Sequence, residues 1–145
     1  YRIIHLSGRD KFFELKQRCP KHQRLLLLPY LEEMEYALAA ADLAVARAGA
    51  SFLAEAAARG LPAVLIPYPY AAHDHQRYNA RAFADSGAAV MIEDRELNGA
   101  VLADTVTCLL EDRPHLEQMS QQARMLAVTD AVARIAQAVD GIINK

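Results

Sequence analysis

The chain has 145 residues, 16 Lys and Arg against 18 Asp and Glu, and a net charge of −2 with neutral histidines. This length fits one domain that can hold a core without metal or disulfide. The 53% hydrophobic and 23% charged composition excludes a disordered chain. The charge balance argues against a nucleic-acid footprint, which needs a basic face. No apolar run approaches the length of a membrane span; Leu25–Leu28 before Pro29 is strand-sized.

In chain order, the pattern predicts a strand over 3–6, ended by Ser7 and Gly8, then a helix over 10–19 stopped at Pro20. Residues 24–28 are apolar on both faces, as in a buried parallel strand. A helix over 32–41 carries Met34, Ala37, Leu38 and Ala41 at the i, i+3, i+4, i+7 spacing. A strand over 43–46 leads into a helix over 51–59, after which Gly60 stands where a helix-terminating glycine belongs and Pro62 follows. A second buried strand covers 63–66. A helix over 74–86 has Asp74 as N-cap and Gly87 as its stop, and a last strand spans 88–92. The remainder is helical, over 97–110, 114–126 and 131–143, the last with an apolar stripe of Val132, Ile135, Val139 and Ile142. Strands alternating with helices mean βαβ units. The expectation is an α/β fold, a Rossmann-like parallel sheet with helices on both faces, in one domain without repeats or linkers.

Cys19 and Cys108 fit no CxxC or His-paired spacing and read as buried thiols in a reducing compartment. The chain begins at Tyr1 and no signal pattern follows, so it reads as a piece of something longer or a trimmed chain.

Ligands of open α/β sheets bind beyond the carboxyl ends of the strands, which directs attention to two strand-to-helix turns. The first runs from Arg47 to Glu55. Gly49 can take a backbone conformation closed to other residues and lets a ligand approach the main chain. The N–H groups near Ala50, Ser51 and Phe52 form an anion site suited to a diphosphate. Glu55, one turn on from Ser51, can accept both hydroxyls of a ribose. The same residues also fit a simpler reading, with Ser51 as a cap and Glu55 favoured by the helix dipole. The second turn runs from Pro67 to Ala80. Gln76 offers a donor and an acceptor, as sugar hydroxyls require. His73, Asp74 and His75 lack metal-ligand spacing, so His75 reads as a surface histidine and Asp74 as the N-cap. His5 reads as a satisfied, half-buried residue, and Glu32, Glu33 and Glu35 as a solvated first helical turn. No nucleophile elbow, Cys–His pair or Walker loop is present, so no catalytic set is assigned.

Residues 41–80, ADLAVARAGASFLAEAAARGLPAVLIPYPYAAHDHQRYNA, resemble the carboxyl-terminal half of the MurG family, bacterial GT-B transferases that add N-acetylglucosamine to lipid I to make lipid II. The RAGAS turn with Glu55, then GLPA, IPYPYA, and DHQ followed by Asn79-Ala80, occur in that family's order and spacing, and the likeness extends over essentially the whole chain. The resemblance implies a domain that binds UDP-N-acetylglucosamine. By it, the backbone of Gly49, Ala50, Ser51 and Phe52 holds the diphosphate and Glu55 the ribose. Leu31 presents its main chain to the uracil, with Met34 packed nearby. Gln76, with His75 beside it, reads the sugar hydroxyls, although His75 stands where some members have glutamine. Arg47 orients the turn. The resemblance implies no catalytic residue, cofactor or metal in this chain. The mechanism it implies is inverting displacement by a lipid I hydroxyl, with the base and the acceptor site in an amino-terminal domain absent here. No nucleic-acid partner is implied. Membrane contact falls outside this chain, and the location implied is cytoplasmic, peripheral on the inner face of the bacterial membrane.

The sequence also departs from the family. Its domain opens with a central strand and a GGSxGA-type loop, and both are missing here, which is expected to leave unpaired strand edges and an uncovered stripe on the last helix. The competing readings are a non-catalytic nucleotide-sugar-binding subunit that works with a membrane-bound partner, and a related GT-B lipid glycosyltransferase or epimerase. The PYPYAAHDHQ segment argues against the latter.

Overall fold

In the computed structural model, which describes residues 1–19 and 21–143, each apolar run becomes a short strand and each periodic stretch a helix. The chain divides into two units, Tyr1–Ala40 and Ala41–Lys145. The first holds β1 (Ile3–Leu6), α1 (Phe12–Arg18), β2 (Leu25–Leu28) and α2 (Met34–Ala40). Strands β1 and β2 pair in parallel, from Ile3 opposite Leu25 to Leu6 opposite Leu28, a geometry that requires the α1 crossover. Ser7 closes the pair, its N–H and its hydroxyl both donating to the Leu28 carbonyl. The expected helix stop at Pro20 lies outside the described residues.

The second unit holds β3 (Ala44–Ala46), α3 (Ala50–Arg59), β4 (Ala63–Leu65), α4 (His75–Asp85), β5 (Ala89–Met91), α5 (Gly99–Glu111), α6 (Arg113–Met125) and α7 (Ala131–Ile143). Its strands form one parallel sheet in the order β3-β4-β5, with Ala44, Ala63 and Ala89 in register. Because strand side chains alternate, central β4 feeds two cores. Ala63 and Leu65 pack with Leu53 of α3 and Ala80 of α4. Val64 and the following Ile66 pack with Leu109 of α5 and with Leu116 and Met119 of α6. The expected parallel sheet with helices on both faces is therefore present. Burying a side chain such as Leu65 contributes roughly 1.5–3 kcal/mol, and several do so here.

Four expectations are corrected. Asp74 holds the N-cap position of α4 but does not cap it with its side chain: a 3-10 turn over Ala72–Asp74 precedes the helix, Asp74 has a φ of 55°, and its carboxylate makes no cap bond. Its carboxylate lies 3.8 Å from Arg77 instead. Side chains cap two later helices: Asn98 accepts from the Val101 N–H of α5, and Asp112 accepts from the His115 N–H of α6. The cysteines are not buried: Cys19 is half-buried and Cys108 exposed. Cys108 sits one position off the inward stripe of α5, which runs through Leu102, Val106 and Leu109. His5 is exposed rather than half-buried, and β2 is not a buried strand: Leu25, Leu27 and Leu28 are half-buried and Leu26 is exposed.

The expected open apolar surfaces are present among the described residues. No residue of α7 is buried, and Val132, Ile135, Val139 and Ile142 are all exposed. Ile3 and Ile4 of β1 and Val45 of β3 are exposed as well.

Gly60 ends α3 with a φ of 65°, and the Leu61 N–H reaches back to the Ala56 carbonyl, the hydrogen bond of a Schellman turn. A Cβ there would lie 2.5 Å from Arg124 Nε of α6, whereas one at Gly87, also left-handed at 79°, would meet only Gln122 Cγ at 3.6 Å. Both Gly→Ala changes carry a left-handed strain of about 1–2 kcal/mol, and Gly60→Ala must also shift the exposed Arg124 side chain. Gly60→Ala is expected to lower the urea midpoint at least as far as Gly87→Ala; a smaller loss would contradict this contact.

Candidate functional site

Parallel strands bring their carboxyl ends to one rim, and the carbonyls beyond the last ladder bond need other partners. In the second unit Arg47 supplies them. It follows β3, and its Nη1 donates to the carbonyls of Ile66 (3.2 Å) and Pro67 (3.1 Å) at the exit of β4. The same nitrogen donates to Asp94 Oδ1 at 2.6 Å, beyond β5. The guanidinium carbon also lies 5.6 Å from the centre of the Tyr68 ring, within cation–π range. One side chain thus crosses three strand exits. A second ion pair lies beside it: Arg77, in the first turn of α4, donates through Nε (2.9 Å) to Glu93 Oε1, with Nη2 2.7 Å from the same oxygen.

The start of α3 carries the other half of the site. Gly49 is the N-cap residue, and no side chain caps the first turn, so its backbone donors have no side-chain acceptor over them. Ser51 is the second residue of the helix and does not act as a cap. Gly49 has a φ of −71° and a ψ of 142°, open to any residue, so its expected special conformation is not used. Its value is space, because a Cβ there would meet nothing within 4 Å. Ala50, Ser51 and Glu55 are exposed. The Phe52 ring packs against the core around Leu53 and Leu65, which leaves only its backbone for a ligand.

Two amides of α4 connect the turns. Gln76 Oε1 accepts from the Tyr68 N–H at 3.0 Å, so what Gln76 presents to a ligand is its donor end. Asn79 Nδ2 donates to the Ala48 carbonyl at 3.2 Å. His75 is exposed, with Nδ1 2.7 Å from the Ala72 carbonyl. His73 and Asp74, at φ 52° and 55°, place two consecutive non-glycine residues in the left-handed region, an uncommon arrangement.

The second unit therefore collects Arg47, Gly49, Ala50, Ser51, Phe52, Glu55, His75 and Gln76 on the strand-to-helix turns of a single sheet. Leu31 and Met34 belong to the other unit. Both are half-buried, Leu31 in the turn before α2 and Met34 as its first residue. Sequence reasoning missed Asp94, Glu93, Arg77 and Asn79. Arg77 and Asn79 stand inside the polar turn that it singled out, but Asp94 is 47 residues from its partner Arg47 and carries no local signal.

The sequence model of the glycosyltransferase family 28 C-terminal domain matches residues 1–136. The chain belongs to this family. Family 28 relatives named UDP-N-acetylglucosamine–N-acetylmuramyl-(pentapeptide) pyrophosphoryl-undecaprenol N-acetylglucosamine transferase include one from Moorella thermoacetica. It is 51% identical over 119 residues, which is 82% of this chain and 32% of the relative. Another, from Rippkaea orientalis, is 41% identical over 98% of this chain and 40% of its own length. Among solved structures, MurG of Acinetobacter baumannii superposes with a TM-score of 0.86 at 31% identity, over 97% of this chain and 43% of that one. The glycosyltransferase VinC, at 18% identity and a TM-score of 0.71 over 94% of this chain and 33% of its own, shares the fold. The likeness to the carboxyl-terminal half of MurG, read first from the motifs, is borne out. The chain spans about a third to two-fifths of the length of the curated relatives it matches.

The Arg47 brace is testable by itself. Arg47→Met removes three hydrogen bonds and is expected to cost about 1–3 kcal/mol in urea unfolding. Asp94→Asn leaves the two carbonyl bonds in place and should cost no more than about 1 kcal/mol. The reverse order would show that the ion pair, not the carbonyl contacts, holds the rim.

Proposed function

We propose that residues 1–145 form part of the donor-binding domain of an inverting glycosyltransferase. The parent enzyme moves N-acetylglucosamine from UDP-N-acetylglucosamine to lipid I, forming lipid II for peptidoglycan. The observation that carries this reading is the uncapped start of α3 in a family 28 domain, with exposed Glu55 on the same helix face as exposed Ser51. An anion binds at such a helix start through backbone donors and the helix dipole, and a carboxylate one turn on suits a ribose diol.

In this reading the backbone of Gly49, Ala50, Ser51 and Phe52 holds the diphosphate and Glu55 accepts from the ribose hydroxyls. The Gln76 amide donates to the sugar hydroxyls next to His75, and Arg47 keeps the strand exits in place from within the protein. An acceptor hydroxyl displaces UDP at the anomeric carbon. The helix start stabilises the charge that develops on the leaving diphosphate, while the base that takes the hydroxyl proton lies in an amino-terminal acceptor domain outside this chain. The reading calls for no cofactor or metal. It places the parent enzyme peripherally on the cytoplasmic face of the membrane, with lipid contact made by the acceptor domain. No helix among the described residues is long and apolar enough to cross a membrane.

The test is a calorimetric titration of the full-length protein with UDP-N-acetylglucosamine and UDP-glucose, beside Glu55→Ala. The N-acetylglucosamine donor should bind more tightly, and the variant should lose roughly 10- to 100-fold in UDP affinity, as expected for hydrogen bonds to a charged group. Unchanged UDP affinity in the variant, or no preference between the sugars, would overturn the assignment.

A further inference from the structure

We propose that Asn79 is a positioning residue that aims the backbone donors at the start of α3, acting through the Ala48–Gly49 peptide; this rests on the donor-binding reading above. Its amide nitrogen donates to the Ala48 carbonyl across 31 positions of sequence. In a trans peptide the carbonyl and the next N–H point in opposite directions. Holding the Ala48 oxygen toward α4 therefore turns the Gly49 N–H away from α4. Gly49 then leads directly into the first N–H groups of α3.

The Ala48 side chain is buried in the core and the Gly49 carbonyl accepts from the Leu53 N–H, but the Ala48 oxygen between them is held by Asn79. Gly49 itself has no side chain, and the space where a Cβ would stand is empty to 4 Å, so no side-chain packing at Gly49 fixes the tilt of this peptide. Glycine is also the residue whose backbone rotates most freely. On the other side, Asn79 sits on a well-anchored support. The next residue, Ala80, is wholly buried in the core shared by α3, α4 and β4. Arg77, two residues earlier, is paired with Glu93. A core-anchored helix thus holds one end of the hydrogen bond and the glycine turn that opens α3 the other, the arrangement by which a supporting residue presets a binding loop.

A purely structural role for Asn79, satisfying the carbonyl of buried Ala48, would lower stability without changing which part of the ligand is recognised. The test separates the two by ligand. UDP and uridine are titrated into the full-length protein and into Asn79→Asp, which keeps the shape but exchanges the donor for an acceptor. They are also titrated into Asn79→Ser, which is shorter but keeps a donor, and thermal midpoints are recorded for all three. Asn79→Asp is expected to weaken UDP by about tenfold and to leave uridine within about twofold, with Asn79→Ser in between. An unchanged ratio of UDP to uridine affinity in Asn79→Asp, whatever its midpoint, overturns the proposal. If Asn79→Asp does not fold, the same ratio in Asn79→Ser decides. Glu55→Ala serves as the contrast, since loss of a ribose contact should weaken UDP and uridine alike. A wild-type protein that binds UDP no more tightly than uridine would overturn the donor-binding reading itself.

Discussion

A parallel strand buried on both faces has no side chain left for solvent and presents its carboxyl end to a single rim. β4 is such a strand. Ala63 and Leu65 go to one helical layer, Val64 and Ile66 to the other, and its exit leaves the carbonyls of Ile66 and Pro67 beyond the ladder. Unpaired carbonyls at the edge of a core are costly, and Arg47 answers both while reaching Asp94. All three bonds come from one terminal nitrogen of a long cationic side chain.

The polar turns are organised around that rim. Arg77 pairs with Glu93, Gln76 receives the Tyr68 N–H, and Asn79 holds the Ala48 carbonyl, so α4 is tied to β5, to the exit of β4 and to the start of α3. With Glu93 and Asp94 each paired to an arginine, the acidic side chains nearest the strand exits are compensated. The partial positive charge at the start of α3 is left without a side-chain cap. These ion pairs are partly exposed, and their value is geometric more than energetic.

The apolar positions that do not enter either core are equally informative about the chain. α7 carries a continuous apolar stripe, yet none of its described residues is buried. Helices in proteins draw most of their stability from packing an amphipathic face. Ile3, Ile4 and Val45 expose apolar strand surface in the same way. The relatives in which this domain is found are about three times longer than the segment matched here.

Much was legible from sequence because it depends on neighbours in the chain. The α/β alternation, the buried strand β4 and the glycine stop of α3 at Gly60 follow from periodicity and backbone preference. The family followed from motifs that lie within forty residues of one another. Asp74 shows where local reasoning failed: its sequence fits a cap, but the chain leaving β4 through two prolines enters α4 by a left-handed pair, which turns the carboxylate toward Arg77. Cys108 failed similarly, since one step around α5 separates burial from exposure. Only the tertiary structure paired Arg47 with Asp94 and Asn79 with Ala48. Such contacts link residues 47 and 31 positions apart, and no local pattern encodes a partner that only strand order and helix packing bring within hydrogen-bond distance.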